Sequence, residues 1–298
     1  MDEVLRNKKH TEEMIRYSTA FMLCNVLRIS NQLTGGTVLK RFAKFKRINM
    51  SYYPKRLAAF DFDSTVCSDN SDTAVRSLLP PDVVQDYETR QQFSLSGWTT
   101  YMQGVFDLLY NRKISETAII NAVTDIPPVE GMDSLIRRLK KINFDIIIIS
   151  DANSVFINKW LENQGLADCI EQVFTNPGEF NNGHLTIKMY HEQHSCPLST
   201  INLCKGKILE EYLETQNHLG VEYEKIVYVG DGANDFCPML RLSSKDLACC
   251  RNGYSCAAIL KKVLKKELYK NKLYEMKAPV LVWDNGNDIL KALIEFND

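Results

Sequence analysis

Three short apolar runs in this chain end in groups that can do acid, base or metal chemistry. The run from Leu57 to Phe62 leads into Asp61-Phe62-Asp63-Ser64-Thr65, and that from Asp145 to Ile149 into Ser150-Asp151. A third, Ile226 to Val229, leads into Gly230-Asp231-Gly232-Ala233-Asn234-Asp235, and Lys205 opens the helical stretch before it. In parallel α/β sheets, ligands bind beyond the carboxyl ends of the strands, so these groups are expected to converge. Carboxylates crowded within a few ångströms repel, and at least one pKa is forced upward unless a cation joins them. Mg2+ takes carboxylate oxygens and leaves positions for water and phosphate oxygens, which makes Asp61 and Asp231 the expected ligands.

Asp61 and Asp63 stand two positions apart and would share a face of an extended strand, unless the strand ends and re-aims the second side chain. One carboxylate can attack phosphorus while the other moves a proton. Attack by a carboxylate gives an acyl phosphate and splits hydrolysis into two displacements. Asp63 would protonate the leaving alkoxide and then deprotonate water. Positive charge and donors for the phosphoryl oxygens are available from Mg2+, Lys205, Ser150 and the backbone N–H groups of the first loop.

The elements that must carry these residues follow from periodicity. Strands are expected at Leu57 to Phe62, Asp145 to Ile149, Gln172 to Thr175, Ile226 to Val229, Leu247 to Cys249 and Val280 to Trp283, most of them rich in β-branched or aromatic residues. Helices are expected at Met132 to Lys141, Ser154 to Gln164, Lys205 to Thr215 and Ser255 to Tyr269, with Lys261 to Lys272 on an amphipathic surface face. The alternation predicts an α/β fold with a mostly parallel, Rossmann-like sheet. The stretch of about eighty residues from Cys67 to Phe144 is too long for one crossover. Trp98, Tyr101, Met102, Val105, Phe106, Leu109 and Tyr110 recur in it at helical spacing, followed by Ile114, Ala118, Ile119 and Val123. It reads as a helical cap inserted after the first strand, its aromatic stripe packing between helices or, at its edge, touching a ligand. Hinges near Cys67 to Asn70 and Pro127-Pro128 would let it close. The expected organisation is a basic extension over 1–50, a catalytic core over 51–66 and 129–298, and a cap over 67–128.

Composition narrows the partners. Among 298 residues, 36 Lys and Arg face 37 Asp and Glu, so no whole-protein field attracts nucleic acid or anionic lipid, and small ligands are favoured. Residues 1–50 hold five Lys and five Arg against four acids, a local surplus of six positive charges. Such a segment would suit targeting, but Asp2, Glu3, Glu12 and Glu13 count against a mitochondrial presequence. No apolar run approaches the ~20 residues of a membrane span, and nine cysteines without scaffold spacing read as reduced thiols, so the expected location is cytoplasmic.

Taken in order, Asp61-Phe62-Asp63-Ser64-Thr65, Ser150, Lys205 and the run from Gly230 to Asp235 resemble the four motifs of haloacid-dehalogenase-type phosphatases. From about Leu57 onward the chain is similar to the branch holding pyridoxal-phosphate phosphatase and phosphoethanolamine/phosphocholine phosphatase. Asp69-Asn70-Ser71-Asp72, Ile149 to Asn153 and Gly230 to Pro238 carry that likeness, and Ser154 to Ile157, Val173 to Pro177 and Gly183 to Thr186 favour the pyridoxal-phosphate member. The resemblance implies Asp61 as nucleophile and metal ligand, Asp63 as proton donor and backbone-carbonyl ligand, and Asp231 as third ligand. It also implies substrate binding by Asp72 and Asp151, where an acid could pair with an ammonium or pyridine nitrogen. A helix N-cap is the other reading of Asp72. Asp235 would support the metal or hold Lys205, and Thr65 would bond locally in its loop.

The implied function is a Mg2+-dependent phosphomonoesterase for a small amine-bearing phosphate, pyridoxal 5'-phosphate first and phosphoethanolamine or phosphocholine second. Phosphoserine hydrolysis is a further alternative, as is a non-catalytic scaffold that docks through the basic arm. A final group, His191, His194, Cys196 and Cys204, has residue types that suit zinc. Its spacing is not that of a standard finger, and Ser199 stands where the related branch has another cysteine, which favours a loop with buried thiols.

Overall fold

Each of the six apolar runs becomes one strand of a single parallel sheet. In the computed structural model, which describes residues 55–90 and 93–295, these are β1 (Lys55–Phe60), β2 (Phe144–Asn153), β3 (Gln172–Asn176), β6 (Tyr223–Gly230), β7 (Leu247–Arg251) and β8 (Val280–Trp283). Their order is β3-β2-β1-β6-β7-β8. Successive side chains point to opposite faces, and both faces of β1, β2, β6 and β7 are covered, so these strands read as near-continuous apolar runs. The edge strands β3 and β8 are partly exposed. Ala58, Phe60, Ile146, Ile148, Val227 and Val229 pack on one face, and Leu57, Ala59, Ile147, Ile149 and Tyr228 on the other. The expectations for residues 1–50 lie outside the described residues.

Four helices lie between β1 and the helix that leads into β2: α1 (Ser71–Arg76), α2 (Pro81–Arg90), α3 (Phe93–Asn111) and α4 (Glu116–Thr124). Tyr101, Met102, Val105, Phe106 and Leu109 of α3 join Ile119 and Val123 of α4 in the core, as the helical spacing predicts. The two linkers run side by side. Ser68 N–H donates to Pro127 O at 2.9 Å and Val129 N–H to Val66 O at 3.0 Å. The buried Trp160 indole, on α6 (Ser154–Asn163), donates to Ile126 O at 2.8 Å and thereby ties the end of the insert to the sheet layer.

The remaining helices cover the sheet: α5 (Met132–Lys141), α7 (Lys205–His218), the short α8 (Phe236–Met239), α9 (Ser255–Leu264) and α10 (Gly286–Glu295). The expected helix from Ser255 to Tyr269 is too long. It stops at Leu264, where the apolar stripe leaves the core; Leu264 and Leu268 are exposed and Lys266 adopts a φ of 59°. Periodicity did not show the antiparallel hairpin of β4 (Gly178–Asn181) and β5 (His184–Ile187). Its signal was present in Asn182-Gly183, whose φ values of 53° and 80° suit a tight turn that favours Asn and Gly. The hairpin docks on α3. Gln103 Oε1 accepts from Ile187 N–H at 2.8 Å, and His184 Nε2 lies 2.8 Å from Asp107 Oδ1.

Candidate active site

Sheet order reverses at β1: β2 and β3 run to one side, β6, β7 and β8 to the other. A crevice therefore opens between the carboxyl ends of β1 and β6, the usual ligand position of such sheets. β1 ends at Phe60, before the carboxylates, and Asp61 N–H donates to Val229 O at 2.9 Å. Asp61 is 5% exposed; its Oδ1 accepts from Phe62 N–H at 2.7 Å and its Oδ2 lies 2.8 Å from Lys205 Nζ.

Lys205, the first residue of α7, is fully buried and bonds Asp235 Oδ1 at 2.9 Å as well. Burying one unpaired ammonium costs several kcal/mol, so two carboxylates are needed to hold it charged. Burial works against the Lys205 charge, but Asp235 and Asp61 outweigh it and raise the pKa. Asp235 is saturated with donors: Tyr228 OH at 2.8 Å on Oδ1, and Asp231 N–H and Gly232 N–H at 3.0 and 2.8 Å on Oδ2. A Cβ at Gly230 would come within 2.3 Å of Asp235 Cγ, so glycine is required where Asp235 folds back. Asp235 thus holds Lys205, the second of its two expected roles.

Asp231 keeps its oxygens freer. Thr65 Oγ1 donates to Asp231 Oδ1 at 3.2 Å, which corrects the expected local bond: Thr65 links the β1 loop to the β6 loop. One carboxylate oxygen from each of Asp61, Asp231 and Asp235 lies within 4.8 Å of the other two. Burial, opposed by Lys205, raises the Asp61 pKa well above the usual range; burial and then Asp235 push Asp231 up to about 7.

Asp63 does not share this face. The chain turns after β1, with Ser64 at a φ of 55°, and the Asp63 carboxylate reaches the start of α1. Its Oδ1 accepts from Ser71 N–H at 2.9 Å, and its Oδ2 from Asn70 Nδ2 at 3.3 Å. Burial, partly offset by the Ser71 N–H, raises its pKa to about 6. Asn70, not Asp72, caps α1 by accepting from Thr73 N–H at 2.9 Å, which removes the N-cap reading of Asp72. Asp72 is instead 5% exposed and accepts from Trp98 Nε1 at 2.6 Å. Burial and then the charge of Asp63 push it up to about 8 against the Trp98 bond, with Asp151 adding to the rise.

At the end of β2, the buried Ser150 Oγ accepts from Ala152 N–H at 3.2 Å, and Asp151 Oδ2 accepts from Asn234 Nδ2 at 3.1 Å. Tyr228, Asn70, Trp98 and Asn234 were missed as partners. Tyr228 alternates onto the face of Ala59 and Ile149, and Trp98 belongs to the aromatic stripe, so both carried only packing signals. The sequence group His191, His194, Cys196 and Cys204 does not assemble as such. His194 is exposed beside Glu192, and His191 Nε2 accepts from Cys204 N–H at 3.1 Å.

A parallel sheet with acids at its switch point, a buried lysine and a helical insert after β1 defines a haloacid-dehalogenase-like phosphatase. The chain matches the family described as "Putative Phosphatase" over residues 56–297, and it belongs to that family of phosphoric monoester hydrolases. The human protein named "Pyridoxal phosphate phosphatase PHOSPHO2" is 42% identical over 242 residues, 80% of this chain and 97% of its own length. "Phosphoethanolamine/phosphocholine phosphatase" of Gallus gallus is 34% identical over 256 residues, 84% of this chain and 93% of its own. The solved structure of a phospho-aspartyl intermediate analogue of phosphoserine phosphatase shares the fold, with a TM-score of 0.52 at 22% identity over 80% of this chain and 99% of that one. Among the described residues, no helix is long and apolar enough to cross a membrane.

Proposed function

We propose that this phosphatase hydrolyses small amine-bearing phosphomonoesters, pyridoxal 5'-phosphate first, through a phosphorylated Asp61 and with Mg2+. The donor set fits a hard divalent cation. Lys205 against Asp61, Asp231 and Asp235 leaves two negative charges, and Asp235 has no oxygen to spare from its N–H and O–H donors. Asp61, Asp231 and the Asp63 carbonyl would hold the ion, which when bound neutralises charge on the phosphoryl oxygens.

The chain's own residues divide the remaining work. Asp61 attacks phosphorus, held in place by Phe62 N–H and Lys205. Lys205 and Ser150 receive the phosphoryl oxygens. Asp63, with its pKa raised to about 6, gives its proton to the leaving oxygen and takes one from the water that attacks the aspartyl phosphate.

The observation that carries the substrate reading is Asp72. It is a buried carboxyl bonded by an indole dipole, and the charges acting on it are the negative ones of Asp63 and Asp151. Burial first, and then that repulsion, raises its pKa, and a substrate cation there would offset both. Pyridoxal-phosphate and phosphoethanolamine/phosphocholine activities named among the relatives are consistent with such a cation. The test is kcat/KM over pyridoxal 5'-phosphate, phosphoethanolamine, phosphocholine, phosphoserine and the amine-free glycerol phosphate. Pyridoxal 5'-phosphate is expected to lead and glycerol phosphate to trail by about tenfold or more, the scale of one charge-assisted contact. Preference for phosphoserine or glycerol phosphate would overturn the reading.

A further inference from the structure

Three thiols away from the carboxylates are drawn together from distant parts of the chain. Cys237 Sγ lies 3.4 Å from Cys196 Sγ and 3.7 Å from Cys204 Sγ, and the three sulfurs fall within 4.8 Å of one another. Ser199 Oγ completes the group at 3.3 Å from Cys196 Sγ and 3.1 Å from Cys204 Sγ. Sulfurs bound tetrahedrally at about 2.3 Å from one ion stand about 3.8 Å apart. The observed spacing matches that arrangement, whereas a disulfide needs about 2.05 Å.

The surroundings suit a cluster of thiolates. Three thiolates on a divalent ion leave one negative charge, and Arg241 Nη2 stands 3.7 Å from Cys237 Sγ and 4.0 Å from Cys204 Sγ. Cys204 and Cys237 are buried, and Cys196 is partly exposed, which leaves an entry path. A Cβ on Gly206 would come within 2.7 Å of Cys237 Sγ, so the glycine lets α7 approach the cluster.

We propose that Cys196, Cys204 and Cys237 bind one thiophilic divalent cation of the zinc class, with the Ser199 hydroxyl or a water that it holds in the fourth position. Three S–H bonds are replaced by three sulfur–metal bonds, and the protons leave to solvent. Soft sulfur donors separate this site from the hard oxygens of Asp61 and Asp231. Its position gives it a structural task. Cys204 precedes Lys205 and Cys237 follows Asp235 by two residues, so the ion clamps both segments of the buried Lys205–Asp235 pair.

The test is elemental analysis of the full-length protein purified without chelator and dialysed against Mg2+. About one zinc per chain is expected, retained in Asp231→Asn and Cys169→Ser and reduced about tenfold or more in Cys237→Ser. Cobalt loaded into the wild-type protein supplies a second readout that needs no variant to fold: sulfur-to-cobalt charge-transfer absorption with tetrahedral ligand-field bands. Zinc below about a tenth per chain together with a cobalt spectrum lacking sulfur charge transfer would overturn the proposal. So would zinc content unchanged in a folded Cys237→Ser protein.

Discussion

Two groups of buried carboxylates border the same crevice and are held in opposite ways. On the sheet side, Asp61 and Asp235 grip one buried ammonium, and Asp235 is saturated by backbone and phenol donors. On the insert side, Asp63 and Asp72 are held by dipoles: the Ser71 and Asn70 N–H groups for one, the Trp98 indole for the other. The first arrangement fixes geometry before substrate arrives, through ion pairs and backbone donors. The second leaves carboxyls with pKa values of about 6 and about 8, where a proton or a substrate cation can be exchanged near neutral pH. We read the sheet side as the seat of phosphoryl transfer and the insert side as the seat of proton movement and substrate choice.

That division can be broken by substitution. Asp63→Asn removes the proposed proton carrier but leaves Asp61, Lys205 and Asp235 untouched. Turnover of an alkyl phosphate is expected to fall by about 10^2 to 10^4, the usual span for general acid–base catalysis. Formation of the phosphorylated enzyme from a nitrophenyl ester, whose leaving group needs no proton, should be slowed far less. Equal slowing of that first step for both esters would place Asp63 in the phosphoryl-transfer geometry and erase the contrast.

A smaller effect separates substrates. Asp72→Asn keeps an oxygen that can accept from Trp98 but loses the charge, so kcat/KM for pyridoxal 5'-phosphate or phosphoethanolamine should fall about ten- to a hundredfold. Hydrolysis of glycerol phosphate should change by less than about threefold. The same variant has a stability signature. Asp72 ionises near 3.8 in the unfolded chain and near 8 when folded, so between these values the native state holds a proton that the unfolded chain has released. Wild-type stability must therefore fall as pH rises through that window, by about 1.4 kcal/mol per unit for one group, and lose no more above it. The Tm advantage of Asp72→Asn over wild type should widen from about pH 5 to about pH 8 and then level off. A gap independent of pH would mean that Asp72 is charged throughout.

The same contrast explains how much was legible in the sequence. Strands buried on both faces must be nearly continuous in apolar residues, which made the central runs visible. The edge strands β3 and β8 are partly exposed but keep short apolar runs, and acids immediately after β1, in β2 and after β6 marked the site. The sheet-side contacts were partly readable because Lys205 and Asp235 sit in short motifs with one geometry available to them. Insert-side contacts were not. Asp72 meets Trp98 across 26 residues and an intervening helix, and an aromatic at helical spacing looks the same whether it packs or donates. Cys237 joins Cys196 across 41 residues from inside a motif whose other residues explain themselves, so the group of His191, His194, Cys196 and Cys204 was drawn along the chain rather than in space. The helix after Ser255 was overextended for a related reason: Leu264 and Leu268 continue the stripe, but nothing in the sequence shows that the core ends at Val263.

The claim that carries the rest is that phosphorus is transferred to Asp61. Acid quenching during turnover of pyridoxal 5'-phosphate, followed by mass spectrometry of the peptides, tests it directly. The account predicts one phosphoryl group on the peptide that holds Asp61, sensitive to hydroxylamine as an acyl phosphate must be, and absent in Asp61→Asn together with a loss of turnover of about 10^4-fold or more. Phosphate release at an undiminished rate by Asp61→Asn, or a phosphoryl group found on another residue, would contradict it.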